Sequence, residues 1–213
     1  MKYDAIFFDF DGVIVDSVNI KTQVFYLMYL PYGEDIGLKA KQHHIENGGV
    51  SRFEKFKLYH KNFLGKILTN AEVEELANEF SLRVKDAVIK APVVKGVIDL
   101  LEDFSKKMDL FIITGTPQYE ILEIIEKRGW TKYFKEILGS PNIKDKWCKY
   151  LLNKYNYNPN KVLFIGDATT DYEAAKLNNF DFALRLHNEN ETIFKHKNIY
   201  KFSDFTEFQL EDI

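Results

Sequence analysis

Short apolar runs and longer amphipathic stretches alternate along most of this chain. Ile6-Phe7-Phe8 is β-branched and aromatic, too short for a helix and closed by charge, which predicts a buried strand. Further strands are predicted at Leu110, Glu136 to Leu138, Lys161 to Ile165 and Phe182 to Leu186. Helical spacing falls between them, over Val94 to Lys107, Pro117 to Arg128, Lys144 to Tyr155 and Asp171 to Leu177. Such alternation predicts an α/β fold with a parallel sheet, helices on both faces, and ligands at the carboxyl ends of the strands. Residues 16–92 break the rhythm and read as helix after helix: Ser17 to Leu30, Ile36 to Ile45, Ser51 to Phe63 and Asn70 to Lys90. The expected organisation is an α/β core over 1–15 and 93–213, with a helical domain over 16–92 inserted after the first strand. Phe53, Phe56, Tyr59 and Phe63 recur at helical spacing and are read as the insertion's own core rather than as a platform for a sugar ring.

Composition adds limits. With 213 residues and 46% hydrophobic content, the chain can bury one domain and a subsidiary one. A net charge of -3 gives no electrostatic case for nucleic acid or an anionic membrane. No apolar segment approaches the ~18 residues of a membrane span, and Met1-Lys2-Tyr3-Asp4 leads into a strand rather than a signal peptide. Cys148 stands alone, so no disulfide is expected within the chain, which fits a cytoplasmic location. The five histidines show no zinc-binding spacing. A monomer is the default expectation.

The chemistry-bearing candidates begin at the end of the first strand, in Asp9-Phe10-Asp11-Gly12. Side chains alternate along a strand, so Asp9 and Asp11 point one way and Phe10 points back into the protein. One carboxylate can then bind a metal and attack an electrophile while its neighbour handles a proton. Gly12 lets the chain turn away from the site. Taken alone, the pair is also compatible with an acidic turn after a strand.

Three further stretches change that balance. Lys2 to Asp16, with its two aspartates, resembles the first motif of the haloacid dehalogenase-like (HAD) superfamily. Phe111-Ile112-Ile113-Thr114-Gly115-Thr116 resembles the second motif, Lys144 after Gly139-Ser140-Pro141 the third, and Gly166-Asp167-Ala168-Thr169-Thr170-Asp171 the fourth. The likeness runs from Lys2 to about Leu186, and between the first two motifs it is one of length and character only. It implies a Rossmann-like HAD core with a small α-helical cap that closes over the site and selects the substrate. It also implies Asp9 as the nucleophile that becomes an aspartyl-phosphate, and Asp11 as the acid that protonates the leaving alcohol and then activates water. Mg²⁺ would be held by Asp9, the Asp11 main-chain carbonyl and Asp167, with Asp171 assisting directly or at one remove. Thr114 and Gly115 would bind phosphate oxygens, and Lys144 would offset charge beside the nucleophile. The implied ligand is a small phosphorylated metabolite such as a sugar phosphate.

Competing readings stand at several positions. Thr114 also suits a helix cap, Lys146 and Lys149 rival Lys144, and Asp171 also suits a charge at a helix N-terminus. Asp16 and Ser17 read as the start of the next helix rather than as chemistry. Arg52, after the turn Asn47-Gly48-Gly49-Val50-Ser51, reads either as contacting an anionic or hydroxylated part of the substrate or as a surface arginine. Retention of Asp11 argues against dehalogenases, whose halide needs no proton, and against phosphonatases. A phosphomonoester hydrolase is favoured over a mutase of the β-phosphoglucomutase kind, because Asn19, Ile20 and Lys21 occupy the neighbourhood where mutases often carry a histidine. A catalytically idle binding protein would lack the nucleophile or a metal ligand, and neither is missing.

Overall fold

The structure, a computed structural model, describes residues 2–213. Six parallel strands form one sheet: β1 (Ala5–Phe8), β2 (Asp109–Pro117), β3 (Glu136–Ser140), β4 (Val162–Gly166), β5 (Asp181–Arg185) and β6 (Tyr200–Phe202). Their order is β3-β2-β1-β4-β5-β6, so the chain builds outward from β1 in one direction and then, from β4, in the other. The strand order therefore reverses between β1 and β4, and the crevice at that switch is where an open α/β sheet binds ligands. β1 is fully buried because both its edges are paired and both its faces are covered. Alternation divides its side chains: Ile6 and Phe8 join one apolar cluster, while Ala5 and Phe7 join the other. Phe7 meets Phe111 and Phe180 edge to face at centroid distances of 5.2 and 5.4 Å.

Between β1 and β2 the chain folds into α1 (Val18–Tyr29), α2 (Glu34–Glu46), α3 (Arg52–Leu64) and α4 (Asn70–Lys90). The remaining helices, α5 (Val97–Phe104), α6 (Gln118–Lys127), α7 (Lys144–Tyr155) and α8 (Thr169–Leu177), connect the strands. Phe25, Phe56, Tyr59 and Phe80 are buried at the centre of the insertion, with Phe25 and Phe80 4.5 Å apart. Among the described residues no helix is long and apolar enough to cross a membrane.

Two helix starts and one added strand stand out against the sequence pattern. α5 starts at Val97 rather than Val94, because Gly96 takes a left-handed φ of 80° that a helix does not continue through. Pro117 ends β2 and precedes α6 instead of sitting in its first turn. β6 has no counterpart in the pattern: it is three residues long and follows a polar stretch.

Arg52 is the main departure. Its guanidinium is buried and forked onto both carboxylate oxygens of Glu120 in α6, at 2.8 and 2.7 Å, with a further bond to Ser81 in α4. It also lies over the Phe80 ring. It is thus no surface arginine, and its fork ties the insertion to the sheet domain. Arg52→Met alone strands the Glu120 charge and is expected to cost about 3–5 kcal/mol in urea unfolding. Pairing it with Glu120→Leu should recover most of that loss; equal losses in the single and double variants would contradict this role.

Candidate active site

The ends of β1, β2 and β4 converge at the switch point, and the first turns of α7 and α8 complete the group. Asp9 follows β1, and its Oδ1 accepts a 2.7 Å bond from the Phe10 amide. Lys144, in the first turn of α7, lies 2.8 Å from Asp9 Oδ2 and 2.5 Å from Asp171 Oδ1. Asp167 follows β4. Carboxylate oxygens of Asp9, Asp167 and Asp171 lie within 4.8 Å of one another, and all three residues are buried.

Burial pushes the proton affinity of each of these three carboxyls up. Lys144 opposes the rise at Asp9 and Asp171, and His187, 2.8 Å from Asp167 Oδ2, opposes it at Asp167. Burial alone would also drive the Lys144 ammonium toward neutrality, but Asp171 and Asp9 outweigh it and hold the proton more firmly than usual. Three carboxylates thus share one paired ammonium, an excess of negative charge in an oxygen-only donor set that fits a hard divalent cation. Gly12 makes room for the Asp167 carboxylate: at φ 79°, a Cβ there would stand 2.2 Å from Asp167 Oδ2.

Asp11 is handled differently. Lys21 (2.5 Å) and the Thr116 hydroxyl (2.8 Å) donate to its Oδ2, and Ser17 (2.6 Å) donates to its Oδ1. Burial would raise this carboxyl too, but Lys21, aided by Ser17 and Thr116, brings it below the usual range. The surroundings of these two aspartates, two residues apart, thus push their carboxyls in opposite directions.

Among the softer positions, Thr114 caps no helix; it lies in β2, where its oxygen accepts the Thr116 amide at 3.2 Å. The pairing of β2 with β3 shifts register between Ile113 and Pro117, which turns Thr114, Gly115 and Thr116 along the site. Lys146 and Lys149 are exposed, and Lys149 pairs with Asp145, so Lys144 alone of the three reaches the carboxylates. Asp171 fills both of its readings at once: Oδ2 accepts the amides of Asp167 and Ala168 at the start of α8, while Oδ1 meets Lys144. Ser17 forms no side-chain cap. Its hydroxyl goes to Asp11 instead.

The recess over these groups is lined by Asp9, Asp11, Thr114 and Asp167 of the sheet domain and by Phe25, His44, Arg52, Lys55 and Phe80 of the insertion. The Asn47-Gly48-Gly49 turn rests on the motifs: Thr170 donates to the Gly48 carbonyl at 3.1 Å, and a Cβ on Gly49 would stand 2.0 Å from the Thr170 hydroxyl. Sequence reading missed Lys21, Ser17, Thr116 and His187 as site residues. His187 lies in an irregular polar segment, and its one signal was position, just beyond the carboxyl end of a strand.

The sequence matches the haloacid dehalogenase-like hydrolase family over residues 6–185. It is 27% identical to a phosphoglycolate phosphatase of Haemophilus influenzae, with 80% of each chain covered. It is 23% identical to a phosphorylated carbohydrates phosphatase of Thermotoga maritima, over 81% of this chain and 80% of that one. A β-phosphoglucomutase structure from Clostridium difficile superposes with a TM-score of 0.77 at 21% identity, covering 99% of this chain and 95% of the other, and thereby shows a shared fold. With the family match spanning most of the chain and the six-stranded parallel sheet beneath it, this protein belongs to the haloacid dehalogenase-like hydrolases.

Proposed function

We propose that this chain is a Mg²⁺-dependent phosphatase that hydrolyses phosphate monoesters of small metabolites through an aspartyl-phosphate on Asp9. The placement of Asp9 and Asp11 carries the reading. Asp9 sits beside Lys144 and within 4.8 Å of Asp167 and Asp171, a donor set for a divalent cation, while Asp11 is held apart from them by Ser17, Lys21 and Thr116, free for proton transfer. The similarity to phosphatases named for phosphoglycolate and for phosphorylated carbohydrates supports a small phosphorylated substrate.

A carboxylate oxygen of Asp9 attacks phosphorus, the ester P–O bond breaks, and Asp11 gives its proton to the departing alcohol oxygen. Before an ester binds, Lys21 pairs with Asp11 and favours its carboxylate form. An arriving phosphate dianion works against Lys21 and lets Asp11 carry the proton that the first step needs. Asp11 then takes a proton from water, whose oxygen attacks phosphorus as the Asp9–phosphorus bond breaks, releasing phosphate. The Thr114 hydroxyl and Gly115 amide hold phosphate oxygens, and Lys144 reduces repulsion between Asp9 and the incoming group. Asp9, Asp167, Asp171 and the Asp11 main-chain carbonyl would hold Mg²⁺. Bound there, the ion would neutralise charge on the phosphoryl oxygens. Residues 16–92 act as the cap: Phe25, Phe80 and the Asn47 to Gly49 turn cover the recess and exclude bulk water.

Asp9→Asn is expected to lower p-nitrophenyl phosphate turnover on the order of 10³-fold or more. A wild-type protein inert with Mg²⁺ across a panel of phosphate esters would instead indicate a binding role. Scoring β-glucose 1-phosphate for both inorganic phosphate and the 6-phosphate isomer separates hydrolase from mutase: free phosphate is expected, and the isomer would overturn it.

Mg²⁺ should raise the melting temperature of the wild-type protein by relieving the buried carboxylates, and this shift should vanish in Asp167→Asn. An equal shift in both proteins would remove Asp167 from the metal site.

Lys21→Met should cut kcat by about 10²-fold through mishandling of Asp11's proton, while Lys146→Met leaves it unchanged. Equal kcat in the two variants would show that Lys21 plays no part.

A further inference from the structure

Three lysine or arginine side chains line the recess, and two of them face carboxylates: Lys21 has Asp11 and Arg52 has Glu120. Lys55 has none. It is 1% exposed, makes no ion pair among the described residues, and meets only the Nδ1 of His44 at 2.7 Å, with the Phe25 ring 5.5 Å away. His44 is buried as well and packs against the same ring. A fixed ammonium held in such surroundings without a counter-charge is costly, and an apolar side chain of similar size would fill the place at no such cost. Structural packing therefore does not account for it. Both residues line the same recess as Asp9 and Asp11.

We propose that Lys55 and His44 form a subsite for a carboxylate on the substrate, so that the ester turned over carries a carboxylate besides the phosphate it loses. This rests on the phosphatase reading for the identity of the other group. One ammonium matches one carboxylate, whereas a second phosphate dianion would exceed the charge available. Lys55 is a four-carbon stem ending in three donors, of which His44 uses one. Burial, reinforced by Lys21, pushes the Lys55 ammonium well below its ordinary range, and burial with Lys55 and Lys21 does the same to His44. An anion that accepts from the remaining Lys55 donors reverses that direction and supplies the missing counter-charge. Arg52 is unsuited to the task, since Glu120 already occupies both arms of its fork.

The test compares 2-phosphoglycolate with its neutral primary amide by calorimetry on the Asp9→Asn protein with Mg²⁺, where neither ester is consumed. The acid is expected to bind at least about tenfold more tightly than the amide. Lys55→Met in the same background should erase that preference while leaving amide affinity within about twofold. Equal affinity for acid and amide with Lys55 present, or a preference that survives Lys55→Met, overturns the subsite. Should Lys55→Met not fold, the acid-to-amide ratio in the Lys55-bearing protein and its fall in His44→Gln decide the matter. A parallel turnover assay on the wild-type protein keeps the two ideas apart: binding preference without turnover of any ester sinks the phosphatase reading and leaves the carboxylate subsite standing.

Discussion

Three carboxylates share a buried corner of this protein with the Lys144 ammonium, and that crowding governs what surrounds them. Buried carboxylates without compensation raise their proton affinity or destabilise the fold. Here compensation is distributed: Lys144 bridges Asp9 and Asp171, His187 meets Asp167, and the amides of Asp167 and Ala168 satisfy the other oxygen of Asp171. The negative charge that remains is what a divalent cation would use. The sheet order supplies the location, because β1 and β4 are adjacent and the chain leaves them toward opposite edges of the sheet.

The helical insertion sets a second environment against the first. Its contribution to the recess includes the aromatic Phe25 and Phe80, the basic Lys21, His44, Arg52 and Lys55, and the acidic Glu46. The sheet domain's contribution is acidic at Asp9, Asp11 and Asp167. Lys21 joins the two halves on Asp11, and the Arg52 to Glu120 fork joins them again behind the recess. Basic side chains of the insertion and acidic side chains of the sheet domain thus line one recess.

Much of the sheet was legible because its strands are short, apolar and spaced by helical patterns, as at Ile6 to Phe8 and Lys161 to Ile165. The residues at strand ends were legible for the same reason: backbone direction alone brings Asp9, Thr114 and Asp167 to one end of a parallel sheet. What stayed hidden were partners made by folding across distance. Lys21 lies in an amphipathic helix and looks like any solvated lysine until α1 is packed over Asp11. Ser17 has a cap-forming sequence position, yet Asp11 competes for its hydroxyl and wins. Arg52 showed a charge at a helix start, while its partner Glu120 is 68 positions away in a separate helix. Lys55 gave no signal at all, because a buried lysine is unexpected on any helical face.

The central claim is that Asp9 attacks phosphorus, and trapping the phosphate group on Asp9 during turnover tests it most directly. A single turnover of a phosphate ester in heavy-oxygen water, followed by digestion and mass spectrometry, reads where the solvent oxygen goes. If the water of the second step attacks phosphorus on Asp9, that oxygen leaves with the released phosphate and the Asp9 peptide stays unlabelled; acid quenching during turnover should then trap a phosphate group on that same peptide. Phosphate release with no trapped phosphorylated Asp9 peptide at any time in the turnover, while Asp9→Asn still hydrolyses the ester, would contradict the account.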